Sequence, residues 1–200
     1  MPDDDDDNIA SDDDDSLYHP SDPAENHLQY PDFKIGGYIP ATGRGNSEDG
    51  AHWVSPTTRE MFRALRRKDK EINELDAFDV AATHGDVVDS TWHLIMEYEQ
   101  LHVDKCKDIT LKRFEGMYGI PTFKSRLGKV LNYGPPFDRH DWYIDRCGTE
   151  VRYIIDYYSM DGDFNHDYSI DVRPDLQRLE NIYDRIRLAY KRYKNDEPFW

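Results

Sequence analysis

Apolar residues recur at helical spacing in four stretches of this chain and alternate like strands in one region. After Pro56, which suits the first turn of a helix, Met61, Phe62 and Leu65 form a short stripe. Arg66, Arg67 and Lys68 follow, where positive charge favours a helix C-terminus. A second helix is predicted from Leu75 to His84, with Gly85 as its stop. Asp86, with Asp89 three residues on, then forms a capping-box-like start for a third helix reaching Lys105. On it Val88, Trp92, Ile95 and His102 share one face, which Leu94, Tyr98 and Leu101 broaden. Residues 107–136, punctuated by Gly116, Gly119, Pro121, Gly128 and Gly134, read as loop.

Beyond the loop the period changes to two. Trp142 to Cys147 and Glu150 to Tyr158 flank Gly148 as the arms of a hairpin. In the second arm Val151, Tyr153, Ile155 and Tyr157 face one way, and Arg152, Ile154, Asp156 and Tyr158 the other. Residues 159–166 read as a polar turn, and Tyr168 to Val172 as a third strand. Pro174 opens a final helix with Leu176, Leu179, Ile182, Tyr183, Ile186 and Tyr190 on one side. The fold class is α+β: several helices on a small antiparallel sheet.

Charge divides the chain. Residues 1–26 hold eleven Asp and Glu and no Lys or Arg, out of a formal net charge of −16. Residues 1–50 therefore read as an acidic, Pro- and Gly-containing, disordered head, and 51–195 as the folded domain. Within the head, Leu28 to Ile39 carries Tyr30, Phe33, Ile35 and Tyr38 and is expected to dock as an extended strand. The acidic balance argues against a nucleic-acid partner and suits a basic protein. No apolar run approaches the roughly 18 residues of a membrane span. Neither a signal-peptide core nor an Arg-rich presequence stands near Met1. Cys106 and Cys147 are not expected to form a disulfide framework, and neither lies in a CxxC zinc pattern.

The hairpin is costly as a scaffold. Pro135 to Tyr158 spends positions on Arg139, His140, Trp142, Arg146, Cys147 and Arg152, a choice expected at a site rather than in a framework. Arg139, Arg146 and Arg152 read either as surface pairs of small worth or as a clamp for carboxylates. His140 reads as a hairpin hydrogen-bonder or as an acid–base group. Cys147 reads as a packed, inert residue or an Arg-activated thiol. His84 either satisfies the last carbonyls of its helix or ligates a metal or haem iron. Asp89 either caps a helix or orients a ligand histidine.

The hairpin PFDRHDWYIDRCGTEVRYIIDYY, with DVRPDL at Asp171 to Leu176, closely resembles the holocytochrome c-type synthase, or cytochrome c haem lyase, family. HWVSP at His52 to Pro56, MF at Met61 and Phe62, His84 with Trp92, EYEQLH at Glu97 to His102, RF at Arg113 and Phe114, and LNYGPPF at Leu131 to Phe137 follow its order. The resemblance covers residues 52–193.

It implies a lyase that joins haem (iron protoporphyrin IX) to apocytochrome c or c1, each thiol of a CxxCH motif adding across a haem vinyl group. His84 would be the axial ligand to the haem iron, and the CxxCH histidine the other. His84, Asp89 and His140 are the expected catalytic residues. Trp53, Arg139, Arg146 and Arg152 join His84 as expected haem-binding residues, the arginines serving propionates and hairpin integrity. The implied location is the mitochondrial intermembrane space, peripheral on the inner membrane. Two departures stand out: Asp89 replaces the family's glutamate, and Asp69-Lys70 its Gly-Trp. They fit the alternative of a non-catalytic haem- or cytochrome-c-binding relative.

Overall fold

The computed structural model describes residues 38–42, 52–67, 74–117, 135–159 and 168–196. These form two compact units, one up to Ser90 and the other from Thr91. The prediction for Tyr30, Phe33 and Ile35 and the polar turn at 160–166 lie outside the described residues.

In the first unit β1 (Tyr38–Pro40) pairs antiparallel with β2 (His52–Val54), Ile39 lying opposite Trp53. Part of the extended segment expected at 28–39 is thus a strand. Helix α1 (Thr58–Arg67) starts with a true capping box. The Thr57 N–H donates to Glu60 Oε2 at 2.7 Å and the Glu60 N–H to Thr57 Oγ1 at 3.2 Å, satisfying two otherwise orphaned donors. Phe62 is buried from this helix, and Ile39 from β1.

Helix α2 (Glu74–Glu99) corrects two expectations at once. Gly85 does not end a helix, and Asp86 does not begin one. The helix runs through both because Gly85 occupies a buried line with Ala77, Ala81 and Val88. A mid-helix glycine costs about 1 kcal/mol relative to alanine, a small charge against a helix of this length. A 3-10 turn (Gln100–His102) closes it.

The second unit is built on a four-stranded antiparallel sheet in the order β3-β4-β5-β6. Strand β3 (Ile109–Gly116) lies inside the stretch expected to be loop. Ile109 and Leu111 are buried, but the register shifts between Leu111 and Arg113, and that bulge breaks the alternation a strand would otherwise display. Strands β4 (Asp138–Arg146) and β5 (Thr149–Ser159) meet at Cys147-Gly148, both at positive φ (46° and 88°). That backbone is the two-residue turn whose twist matches the strands. Strand β6 (Tyr168–Pro174) completes the sheet, and α3 (Leu179–Lys194) follows. As expected, Val151, Tyr153, Ile155 and Tyr157 all point to the core.

The cysteines correct a third expectation. Cys147 is exposed at the turn, not packed, and is disulfide-bonded to Cys106, which is buried just beyond the 3-10 turn. The bond closes 41 residues of sequence. For a loop of that length, removing it is expected to lower stability by roughly 2–4 kcal/mol. Denaturant unfolding of the wild type with and without reductant, beside Cys106→Ser, measures this. A midpoint indifferent to both treatments would show that the bridge does not hold the fold.

Candidate functional site

In the first unit β2 brings Trp53 to α2. The Trp53 and His84 rings lie 6.4 Å apart between centroids, tilted by 39°. His84 is half-buried, with Nδ1 shielded from solvent. Because α2 continues fifteen residues past it to Glu99, His84 has no helix-end carbonyls to satisfy. The terminal-cap role therefore falls away, and the imidazole lies beside the Trp53 indole. Asp89 is exposed on the same helix. Five residues place it about 140° around the axis from His84, so the two do not share a face.

In the second unit the two faces of the sheet differ sharply. Register sets Trp142 opposite Tyr153, Ile144 opposite Val151 and His140 opposite Ile155 on the apolar face. Helix α2 delivers Tyr98 to this face, 5.9 Å from the Tyr153 ring, and Thr91, whose hydroxyl lies 3.2 Å from that of Tyr157. Burial raises the Tyr157 phenol well above its ordinary range, only partly opposed by the Thr91 hydrogen bond. His140 sits at the rim, edge-on to Tyr157 with centroids 5.4 Å apart and Nε2 3.1 Å from Asp138. Burial alone would raise the Asp138 carboxyl. The His140 hydrogen bond and charge and the Arg139 N–H together bring it below its usual value.

The opposite face carries Arg139, Asp141, Tyr143, Arg152, Asp156, Tyr158, Asp171 and Arg173. Asp141 is wholly buried and shared by two of the expected clamp residues. Arg139 donates to it at 3.1 and 3.3 Å, and Arg152 donates through Nε at 3.1 Å and through its terminal nitrogen. Arg173 bridges Asp156, at 2.5 Å, and Asp171.

Arg146, the third clamp residue, is buried on the apolar face. It holds Glu99 bidentately, with Nε to Oε2 at 2.6 Å and a terminal nitrogen to Oε1 at 2.8 Å. The Tyr153 hydroxyl donates to the same Oε1 at 2.6 Å. Asp184 of α3 lies 3.9 Å from Arg146 and 2.8 Å from His102 Nε2. Burial opposes the Arg146 charge, but the hydrogen bond and charge of Glu99 outweigh it and hold the guanidinium protonated. Sequence reasoning missed Glu99 and Asp184. A signal existed for Glu99, which continues the Val88–Trp92–Ile95–His102 line and so is a carboxylate at a core position.

Of the three arginines, only Arg152 borders open space. With Tyr143, Glu150, Asp175, Gln177, Arg178 and Asn181 it lines a polar cavity of about 280 Å³.

The chain belongs to the family described as cytochrome c/c1 heme lyase, which matches residues 26–189. Among its relatives, holocytochrome c-type synthase of Bos taurus is 34% identical over 182 residues, covering 86% of this chain and 66% of that protein. The Homo sapiens holocytochrome c-type synthase is 37% identical over 150 residues, covering 70% and 56%. A putative holocytochrome-c1 synthase of Chaetomium thermophilum is 34% identical over 150 residues, covering 69% and 52%. The chain thus spans between about half and two-thirds of the length of these curated relatives. No solved structure matches it.

Proposed function

We propose that this chain is a lyase that attaches haem, its substrate, to apocytochrome c or c1. The observation that carries the reading is the family match, which runs through Trp53, His84 and the whole β4–β5 hairpin. In the reaction each thiol of the partner's CxxCH adds across a haem vinyl group, sulfur to one carbon and hydrogen to the other, giving a thioether with no net redox change. Haem supplies the electrophile, and the chain supplies position. His84 would ligate the iron from one side and the CxxCH histidine from the other, with Trp53 as a wall beside the ring. A half-buried imidazole in mid-helix beside Trp53 supports that part. Holding thiol and vinyl together is worth an effective molarity of roughly 10⁵ M or more.

Arg139 and Arg146 act from behind, by holding the hairpin through Asp141 and Glu99. Arg152 also ties the hairpin through Asp141, and of the three it is the one that borders the polar cavity. His140, at the sheet rim with Asp138, is the acid–base candidate. Asp89, exposed and off the His84 face, would act toward the incoming partner. The location that follows is the intermembrane space, peripheral on the mitochondrial inner membrane. Among the described residues no helix is long and apolar enough to cross a membrane.

The test is to express the full chain with apocytochrome c, and separately with apocytochrome c1, in a bacterial cytoplasm lacking other c-type maturation. Haem that survives denaturing electrophoresis on at least one cytochrome is the expected result. Haem bound by the chain with no covalent product on either would establish the non-catalytic relative instead.

A further inference from the structure

Helix α3 is built inside out. Its buried residues are Asn181, Asp184 and Leu188. Its apolar side faces solvent: Leu179 is 85% exposed, Tyr183 and Ile186 63%, Tyr190 66% and Tyr193 72%. At about 100° per residue these five fall within an arc of roughly 80°, diametrically opposite the buried line. The inversion has a cause within the fold. Asp184 is held by His102 and lies beside Arg146, and Asn181 donates to Asp175 Oδ1 at 2.7 Å. The Arg185 guanidinium donates to the Pro174 carbonyl, with Nε at 2.8 Å. Those polar anchors fix which side turns inward and force the apolar ridge outward.

The ridge is flanked by positive charge in an otherwise acidic chain. Arg178, Arg185, Arg187, Lys191, Arg192 and Lys194 stand against only Glu180 and Asp184 between 178 and 194. Asp184 is buried, and Glu180 faces Lys105, Arg146 and His102. Arg187, Lys191 and Lys194 line one edge of the ridge, all exposed. Tyrosines with an apolar body and a polar tip, a convex ridge rather than a groove, and a lysine-rich flank are the features of a helix lying in a lipid interface. A second copy of the chain is a poorer fit, because pairing two ridges brings like-charged flanks together.

We infer that the exposed Leu179–Tyr193 face of α3 is the surface by which this protein docks on an anionic lipid bilayer, its tyrosines, Leu179 and Ile186 entering the headgroup boundary and Lys191, Lys194 and Arg187 meeting lipid phosphates. This gives the peripheral membrane reading above a surface, and it does not depend on the haem chemistry.

Vesicle flotation of the full chain tests it, using phosphatidylcholine vesicles with and without phosphatidylglycerol. The wild type is expected to bind the anionic vesicles at least tenfold more tightly, less so as salt rises. Ile186→Glu with Tyr190→Glu should lower that binding at least tenfold while leaving the far-ultraviolet circular dichroism unchanged. Lys191→Glu with Lys194→Glu should remove the preference for anionic lipid. A wild type that floats with neither vesicle, or an Ile186→Glu/Tyr190→Glu variant that floats as well as wild type, overturns the inference. So does a concentration-dependent dimer in analytical ultracentrifugation that Ile186→Glu abolishes, because the face then pairs copies. Running the covalent-haem assay on the same preparations separates the two readings. Product without vesicle binding refutes only the docking surface, and vesicle binding without product refutes only the lyase.

Discussion

His84→Ala is expected to abolish covalent haem attachment, leaving less than about one hundredth of the wild-type holocytochrome. The magnitude follows from what ligation supplies in the proposed reaction. A thiol and a vinyl group are weak partners in dilute solution, and positioning them is the main contribution a protein of this kind makes. Without the His84 imidazole the substrate loses its fixed point on α2, and loss of even part of that advantage exceeds a hundredfold. The structure makes the variant interpretable. His84 lies mid-helix, where alanine is the best helix former. Circular dichroism and the denaturation midpoint should therefore stay close to wild type while the haem stain on the gel disappears. Absorption spectra of the purified chain give a second readout, since a change of axial ligand alters the haem bands whether or not turnover survives. Normal amounts of holocytochrome from a folded His84→Ala protein would remove this residue from the mechanism.

The legible parts of the fold were those in which local pattern and tertiary contact agree. Strand β5 alternates Val151, Tyr153, Ile155 and Tyr157 inward without interruption, and those residues are buried. Pro56 marks the α1 start by local chemistry, to which the structure adds the Thr57/Glu60 capping box. The failures occurred where a distant partner overrode a local signal. Gly85 is a stop signal by composition, but burial beside the Ala77–Ala81 line keeps the helix going. Strand β3 was hidden by its bulge. The α3 stripe was recognised, but its direction depends on Asp184 finding His102 across 82 residues, which no periodicity encodes. The Cys106–Cys147 bridge is likewise a property of the sheet's approach to the end of α2, not of spacing. At the candidate site, resemblance to the family named Trp53 and His84 separately, and their proximity is a property of the fold that no spacing encodes. For the arginines the sequence leaves surface pairs, a clamp and hairpin integrity open, because buried carboxylates such as Glu99 and Asp141 look, in sequence, like ordinary charged surface.

That network is where substitution should cost most stability. Arg146→Leu is expected to destabilise the fold by roughly 3–5 kcal/mol, the cost of leaving a buried charge without its partner. The Glu99 side chain has no solvent exposure, and after the change only the Tyr153 hydroxyl would remain to it among the described residues. Glu99→Leu should cost less, because Arg146 keeps Glu180 at 3.7 Å and Asp184 at 3.9 Å as substitute partners. The double variant should be more stable than the sum of the singles predicts, since it buries neither charge alone. Denaturant midpoints of the four proteins close this cycle, and additive changes would show that the pair is not coupled. The same series separates the two roles offered for Arg146. If it holds the hairpin, as its bidentate contact indicates, holocytochrome yield per folded molecule should be nearly unchanged in the double variant. If it binds a propionate directly, that yield should fall in both Arg146→Leu and the double variant but not in Glu99→Leu, even where circular dichroism shows the sheet intact. The geometry favours the first outcome, because both guanidinium nitrogens nearest Glu99 are already committed to it and the side chain is almost wholly covered.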